Sequence, residues 1–148
     1  MGLPDFNEAG DLPPAVHVAS LSEVLGRFGG GNAARRVIGK RLQHVYDVAH
    51  ATRHLARMIV YGSFVTNKPE PNDVDVVLVM DELFEVADCT GAARLLFDHQ
   101  AADAHFGASV FWAARPVEFG GEQAMIEYWQ LKRDHTLRGI VEIQEASS

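Results

Sequence analysis

The sequence predicts an α/β fold, more closely an α+β domain with helices packed mainly on one face of a small mixed sheet of about four strands. Short apolar runs typical of strands alternate with segments of helical periodicity. The 148 residues are 47% apolar, which is enough for one hydrophobic core. No repeat or linker-like tract interrupts the chain. We therefore predict a single domain over residues 1–148.

The first third of the chain is predicted to be an arm followed by two helices. Residues 1–19 contain three prolines and no regular periodicity, which indicates an extended N-terminal arm. A Ser–Glu pair at capping-box spacing opens a short helix over residues 20–29, which ends at a run of glycines. Asn32 then caps an amphipathic helix predicted over residues 33–53.

The sheet-containing core is predicted over residues 55–143. Four short runs rich in strand-forming residues lie there, at residues 55–61, 73–80, 108–113 and 139–143. Two segments with helical spacing lie between them, at residues 91–106 and 122–133. The turn between the first two strands contains Pro69 and Pro71, which exclude both a ladder and a helix.

The charge distribution limits the classes of partner. A net charge of −7 argues against a general nucleic-acid surface, so nucleic acid is open only as an acceptor. Residues 27–57 nevertheless carry seven Lys or Arg against one acid. This segment is either a solvated helix face or a contact for an acidic or phosphate-rich partner. We favour the solvated helix face, because charged surface helices are common.

The chain lacks the signals of a membrane or exported protein. Its longest uninterrupted apolar run, residues 76–80, is far shorter than a bilayer span. The N-terminus is acidic and proline-rich, unlike a signal peptide. Cys89 is the single cysteine, which fits a reducing compartment. We therefore expect no membrane partner and a cytoplasmic location.

One segment carries a pattern with chemical meaning. Gly62 and Ser63 follow a strand, where a glycine allows the backbone close to a phosphate and a hydroxyl can bond to it. If residues 64–67 form a helical turn, its N-terminus adds a positive dipole end. Asp73 and Asp75 stand two apart on the next strand, which directs both carboxylates to one face. Mg²⁺ is the cation that such a pair, together with substrate phosphates, typically binds.

These residues resemble the signature of the DNA polymerase beta-like nucleotidyltransferase superfamily. The likeness lies in a Gly-Ser pair after a strand and an Asp-x-Asp on the next strand, within residues 55–79. The superfamily includes polymerases, nucleotide-adding resistance enzymes, RNA tailing enzymes and small transferases of toxin–antitoxin systems. The resemblance implies a minimal nucleotidyltransferase-like fold.

A second resemblance spans nearly the whole chain. It is to a group of short bacterial nucleotidyltransferase-like proteins without a settled substrate. The segments that carry it are Asp5-Phe6-Asn7, Leu12-Pro13-Pro14, Gly62-Ser63-Phe64-Val65-Thr66, Pro71-Asn72-Asp73-Val74-Asp75 and Arg138-Gly139-Ile140-Val141-Glu142-Ile143.

The resemblance to the superfamily implies roles for five residues. Gly62 and Ser63 would hold a nucleoside triphosphate, and Lys68 in the following turn could meet the same phosphates. Asp73 and Asp75 would be the catalytic carboxylates and bind one or two Mg²⁺ ions. The implied reaction moves a nucleoside monophosphate from the triphosphate to an acceptor hydroxyl.

The sequence departs from the superfamily at the third carboxylate. The matching strand, residues 108–113, contains no acid, and Ser109 at the plausible position carries no charge. Asp103, Glu118 or Glu142 could supply the missing group from neighbouring segments. Loss of a general base alone typically slows a reaction by 10²–10⁴-fold.

Two further functions therefore stay open. One is a catalytically weakened nucleotide- or partner-binding protein, such as an antitoxin-like or regulatory module. The other is a structural subunit that keeps the fold without binding nucleotide. A protein partner or a homodimer could also complete the cleft.

Overall fold

The computed structural model describes residues 2–117 and 120–145. The strands are Val16–Ala19 (β1), Leu55–Tyr61 (β2), Asp75–Met80 (β3), Ser109–Ala114 (β4) and Ile140–Ile143 (β5). The helices are Leu21–Phe28 (α1), Ala33–Ala51 (α2), Ala92–Leu96 (α3), His99–Phe106 (α4) and Glu122–Gln130 (α5). The strands form a mixed sheet in the order β1-β5-β2-β3-β4, which confirms the α+β class.

The central strand of the sheet is β2, which is antiparallel to both β5 and β3. The outer pairs, β1 with β5 and β3 with β4, are parallel. The described sheet has five strands and not about four, because residues 16–19 of the predicted arm form β1. Its partner β5 lies more than a hundred residues later, so this pairing has no local sequence signal.

Both faces of the sheet are covered, but unequally. Alternate residues such as Met58, Val60 and Val76 face a large core under α1 to α4. On the other face, Ile59 and Val77 pack with Ile126 of α5 in a smaller cluster. The prediction that helices lie mainly on one face is therefore confirmed. Because side chains alternate along β3, Asp75 shares the α5 face with Val77.

Three predicted boundaries differ from the structure. The helix expected over residues 91–106 is two helices, because the side chain of Asp98 accepts a hydrogen bond from Ala101 N at 3.0 Å and caps α4. Helix α5 ends at Gln130 and not at residue 133, because Leu131 is extended and bridges to Leu137. Strand β3 begins at Asp75, so Asp73 lies just before it. None of the described helices is long and apolar enough to cross a bilayer.

Candidate functional site

The Gly62-Ser63 pair lies at the end of β2, where the chain leaves the sheet. Gly62 adopts φ +82°, a conformation that side chains disfavour. Ser63–Val65 form a 3₁₀ turn in which Val65 N donates to the Gly62 carbonyl at 3.2 Å. This turn replaces the one predicted over residues 64–67. The Ser63 hydroxyl has no hydrogen-bond partner among the residues that the structure describes.

Asp75 lies beside this glycine on the neighbouring strand. Tyr61 and Asp75 are register partners in the β2–β3 ladder, and the Asp75 carboxylate contacts Gly62. Burial raises the pKa of Asp75 to about 6, with a further increase from Asp73 and an opposing effect of Arg138. The Gly-Ser turn and the second Asp of the predicted motif are therefore in contact.

Asp73 has two charged neighbours that affect its pKa, one on α4 and one on α2. Burial and the nearby Asp103 raise the pKa of Asp73, whereas Arg41 lowers it. Burial has the largest of the three effects on this pKa. The two predicted carboxylates are thus electrostatically coupled to each other, but their other charged neighbours differ.

Asp75 lines a cavity of about 510 Å³ between the sheet and α5, which we call the polar cavity. Four aromatic rings line it, and basic side chains line its outer part. The aromatic residues are Tyr61, Phe111, Tyr128 and Trp129, and the basic ones are Lys132, Arg133, His135 and Arg138. Ser109, the register partner of Asp75 on β4, also lines this cavity. Such a mixture of anion-binding and stacking groups is suited to a ligand with phosphates and a planar ring.

The basic residues are carried by a short loop over residues 131–138, which we call the basic hairpin. It is closed by the Leu131–Leu137 bridge and by a 2.8 Å hydrogen bond from Lys132 N to the Thr136 carbonyl. The Arg138 guanidinium lies 5.1 Å from the centre of the Tyr61 ring and donates to the Trp129 carbonyl. The sequence analysis assigned no role to these residues.

The N-terminal segment contacts the same site from a third direction. Asp11 is 7% exposed and accepts a 2.7 Å ion-pair hydrogen bond from Lys132 Nζ. Asn67 N donates to the Gly10 carbonyl at 2.9 Å, just after the Gly-Ser turn. Residues 10 and 11 thus join the turn after β2 to the basic hairpin.

Lys68 is exposed, and it does not line the polar cavity. The loop that carries it is held by Arg35, a cation that is 8% exposed. Its guanidinium donates to four carbonyl oxygens, those of Phe28, Phe64, Thr66 and Lys68. From the sequence, Arg35 is one of seven cations predicted to form either a solvated helix face or a contact for an acidic or phosphate-rich partner. Its actual role is to fix the loop that follows the Gly-Ser turn.

The structure describes two of the three acids that could supply a third carboxylate, and also Ser109 at the plausible position. Ser109 lines the polar cavity but is not an acid. Asp103 is close enough to Asp73 to raise the pKa of that carboxyl group. Glu142 is committed to an ion pair with Arg57. Glu118 lies outside the described residues.

The described residues contain no group of three His, Cys, Asp or Glu side chains that could hold a metal. Asp73 and Asp75 are a pair of coupled carboxylates, and a divalent cation beside them would offset their repulsion. Mg²⁺ is usually held by one or two carboxylates together with phosphate oxygens and water. The pair therefore fits a metal that a bound substrate helps to coordinate, and does not form a complete site by itself.

Comparison with known proteins identifies the family. A family model matches residues 4–144, nearly the full chain. The chain belongs to DUF6932, a family of unknown function. A search of curated proteins and a search of solved structures returned no match. The DUF6932 match thus covers the sheet, the polar cavity and the N-terminal segment, and the nucleotidyltransferase relationship stays a prediction.

Proposed function

We propose that this chain binds a nucleoside triphosphate with Mg²⁺ in the polar cavity and transfers its nucleoside monophosphate to an acceptor hydroxyl. The observation that carries the proposal is the composition of that cavity. Asp75, four basic side chains and four aromatic rings line a volume of about 510 Å³. Few ligands other than nucleotides combine several negative charges, a planar ring and a need for a divalent cation.

The charges of the cavity favour the triphosphate. Arg133 and Arg138 reach the cavity from the basic hairpin, and arginine can bind phosphate oxygens with two parallel hydrogen bonds. Gly62 borders the same site through its contact with Asp75, and Ser63 is the next residue in the chain. The Ser63 hydroxyl is available to donate to a phosphate oxygen. The base would stack on the aromatic wall, as bases do on exposed aromatic side chains.

The carboxylate pair supports a place for Mg²⁺. Asp73 and Asp75 would hold the ion together with oxygens of the triphosphate. When bound, Mg²⁺ neutralises the charge that develops on the phosphates during transfer. A role in binding Mg²⁺ would also explain why position 75 has an acidic side chain although burial there disfavours the charged form.

The transfer is an in-line substitution at phosphorus. The acceptor oxygen forms a bond to the α-phosphorus, and the bond from that atom to the pyrophosphate oxygen breaks. The electron pair leaves with pyrophosphate, and the acceptor proton passes to water. The basic hairpin would bind the leaving pyrophosphate. We expect a slow reaction, because no third carboxylate is found near Asp75 in the described residues.

The composition of the polar cavity also favours a second candidate, a protein that binds the nucleotide without transferring it. Such a protein could be regulatory or antitoxin-like. A protein partner for the basic segment at residues 27–57 has less support, because several of its cations have partners within the chain. These are Arg27, Arg35, Arg41 and Arg57. For either candidate the lone Cys89 thiol fits the cytoplasm as the proposed compartment.

The test is calorimetric titration with ATP, GTP, CTP and UTP, each with Mg²⁺ and with excess EDTA. Arg133→Ser removes an exposed cation that lines the cavity, and Arg36→Ser removes an exposed cation of α2 as the matched control. We expect Mg²⁺-dependent binding of at least one nucleotide. Arg133→Ser should weaken it about tenfold, the loss of one charged hydrogen bond. Arg36→Ser should leave the affinity unchanged.

Release of pyrophosphate then separates the two candidates. Transfer predicts pyrophosphate release that depends on Mg²⁺, requires an acceptor and is lost in Asp75→Asn. Binding without release supports the regulatory candidate. Absence of binding for all four nucleotides would falsify both.

A further inference from the structure

A second cavity lies beside the polar cavity on the same face of the sheet. It has a volume of about 710 Å³ and is bounded by β4, the residues that follow it and α5. We call it the apolar cavity. Val77, Ala113 and Ala114 form its floor, and Pro116 and Met125 contribute to its sides. Its volume lies in the range of sites for small organic molecules.

None of the described residues that line the apolar cavity is charged. Sugars, aminoglycosides and nucleic-acid backbones would bury hydroxyl, ammonium or phosphate groups there without partners. Burial of a polar group without a hydrogen-bond partner disfavours binding. The aromatic rings of Phe111 and Trp129 favour a flat apolar ligand. The lining therefore discriminates against polar acceptors and in favour of aryl groups.

The two cavities share a wall. Phe111, Tyr128 and Trp129 line both of them. Along β3, Asp75 lines the polar cavity, whereas Val77, the next residue on the same face, lines the apolar one. Residues two apart on a strand are separated by about 7 Å. A molecule of one aromatic ring and a short side chain spans this distance.

We propose that the apolar cavity binds the acceptor and that the acceptor is a small aryl alcohol. Its ring lies against Phe111 and Trp129, and its hydroxyl points along β3 toward Asp75. This proposal rests on the proposed function and names the acceptor class for it. The aryl alcohol oxygen forms the new bond to the α-phosphorus, pyrophosphate leaves with the electron pair of the broken bond, and the hydroxyl proton passes to water. The product is an aryl-alkyl ester of a nucleoside monophosphate.

The chain provides its own reporters for this cavity. It contains two tryptophans, and the Trp129 indole lines the apolar cavity. The Trp112 indole lies on the other face of the sheet, where it packs against Phe84 and Phe97, so it serves as an internal control. The two indole N–H signals of the ¹⁵N-labelled protein can be assigned with Trp129→Phe. Titration with 2-(4-hydroxyphenyl)ethanol in the absence of nucleotide then measures occupancy directly. Glucose serves as the polyhydroxylated comparison ligand.

Two variants of α5 form a matched pair. Ala124 is exposed and lines the apolar cavity, so Ala124→Leu narrows it without removing a core contact. Gln123 is exposed on the same helix and does not line the cavity, so Gln123→Leu is the control. We expect a saturable shift of the Trp129 indole signal with the aryl alcohol, no shift of the Trp112 signal, and no shift of either signal with glucose. Ala124→Leu should weaken binding about tenfold, and Gln123→Leu should leave it unchanged.

The inference would be overturned by an aryl alcohol that does not shift the Trp129 indole signal, by glucose that shifts this signal equally, or by equal effects of the two α5 variants. Indole shifts that depend on protein concentration without ligand would also overturn it, because they would assign the cavity to a second copy of the chain. Nucleotide binding is measured separately, so a failure of the proposed nucleotide site leaves the aryl-alcohol result interpretable, and the reverse also holds.

Discussion

The carboxylate of Asp75 occupies the space beside Gly62 that a β-carbon would need. A β-carbon on residue 62 would overlap Asp75 Oδ2, and the Gly62 backbone has φ +82°. Two independent constraints, conformation and space, therefore select glycine at this position. Together they fix where the Asp75 carboxylate lies relative to the Gly-Ser turn.

The first prediction is that Gly62→Ala destabilises the protein by about 2–4 kcal/mol and moves Asp75. Part of this loss comes from the left-handed backbone, and part from displacement of the carboxylate. Urea unfolding measures the sum. Gly31→Ala separates the parts, because Gly31 has φ +93° and no atom lies within 4 Å of the place that a β-carbon would take there. We expect that control to lose about 1 kcal/mol. Equal losses in the two variants would contradict the role of Asp75.

The second prediction is that Asp75→Asn stabilises the protein at neutral pH. The pKa of Asp75 in the folded state is about 6, against an ordinary value of 3.8. Between these values the folded state holds the proton more tightly than the unfolded state, so stability falls as pH rises through that window. Asparagine has no carboxyl group to deprotonate, so the variant does not lose stability in this pH window. The gain should be roughly 1–3 kcal/mol above the window and vanish below it.

Urea unfolding of both proteins across that pH range measures the difference. Glu70→Gln, at an exposed loop position, is the control and should change stability by less than about 0.5 kcal/mol. A stability difference that does not vary with pH would show that the folded state does not disfavour the Asp75 carboxylate.

The sequence predicted those parts of the fold whose pattern lies within a short segment of the chain. The strand predicted at residues 55–61 is β2 with the same bounds, because its apolar run is ended by Gly62. Val74 and Val76 are buried in the core under the helices, as their alternation with Asp75 predicts. The contact of Gly62 with Asp75 also follows from a short strand–turn–strand spacing.

The parts that it missed depend on distant partners. Strand β1 exists because residues 16–19 find β5 at the other end of the chain. The burial of Arg35 depends on carbonyl groups of a loop about thirty residues away, so its helix periodicity could not reveal it. The run of basic residues between Lys132 and Arg138 was a visible signal for the basic hairpin. Its proximity to Asp75 was not visible, because a pairing of β5 with β2 creates it.

The third prediction concerns Arg35. Burial lowers its pKa, yet its guanidinium donates to four carbonyl groups, one at the end of α1 and three in or just after the Gly-Ser turn. Arg35→Met keeps the length of the side chain and leaves these carbonyls without their donor. We expect a loss of about 2–4 kcal/mol in urea unfolding. Arg36→Met, at an exposed position of the same helix, should change stability by less than about 0.5 kcal/mol. Similar values for the two variants would show that Arg35 does not support the loop.

The fourth prediction concerns acid stability. Glu122, the first residue of α5, accepts from Arg115 at 2.8 Å and from Arg57 at 2.8 Å, and these bonds lower its pKa to about 2. The lowered pKa means that its contribution is complete above the ordinary value of 4.5 and is lost as pH falls toward 2. Glu122→Gln should therefore cost about 1–2 kcal/mol at neutral pH.

The difference between wild type and Glu122→Gln should shrink as the pH falls through that range. Thermal unfolding in a pH series measures it. If the variant is equally less stable at every pH, then the loss comes from packing of α5 and not from the charge of Glu122.

The fifth prediction tests the ion pair between Asp11 and Lys132. Asp11 is buried and neutralises the ammonium group of Lys132, which lines the polar cavity. Asp11→Asn therefore has two opposite consequences. It weakens the attachment of the N-terminal segment, with a loss of about 1–2 kcal/mol in urea unfolding. It also leaves one more uncompensated cation at the cavity, so pyrophosphate should bind more tightly, by roughly threefold to tenfold in calorimetry. A variant that is less stable and also binds pyrophosphate more weakly would show that Asp11 positions Lys132 for the anion. The sign of the affinity change thus distinguishes a neutralising carboxylate from a positioning one, because loss of stability is common to both.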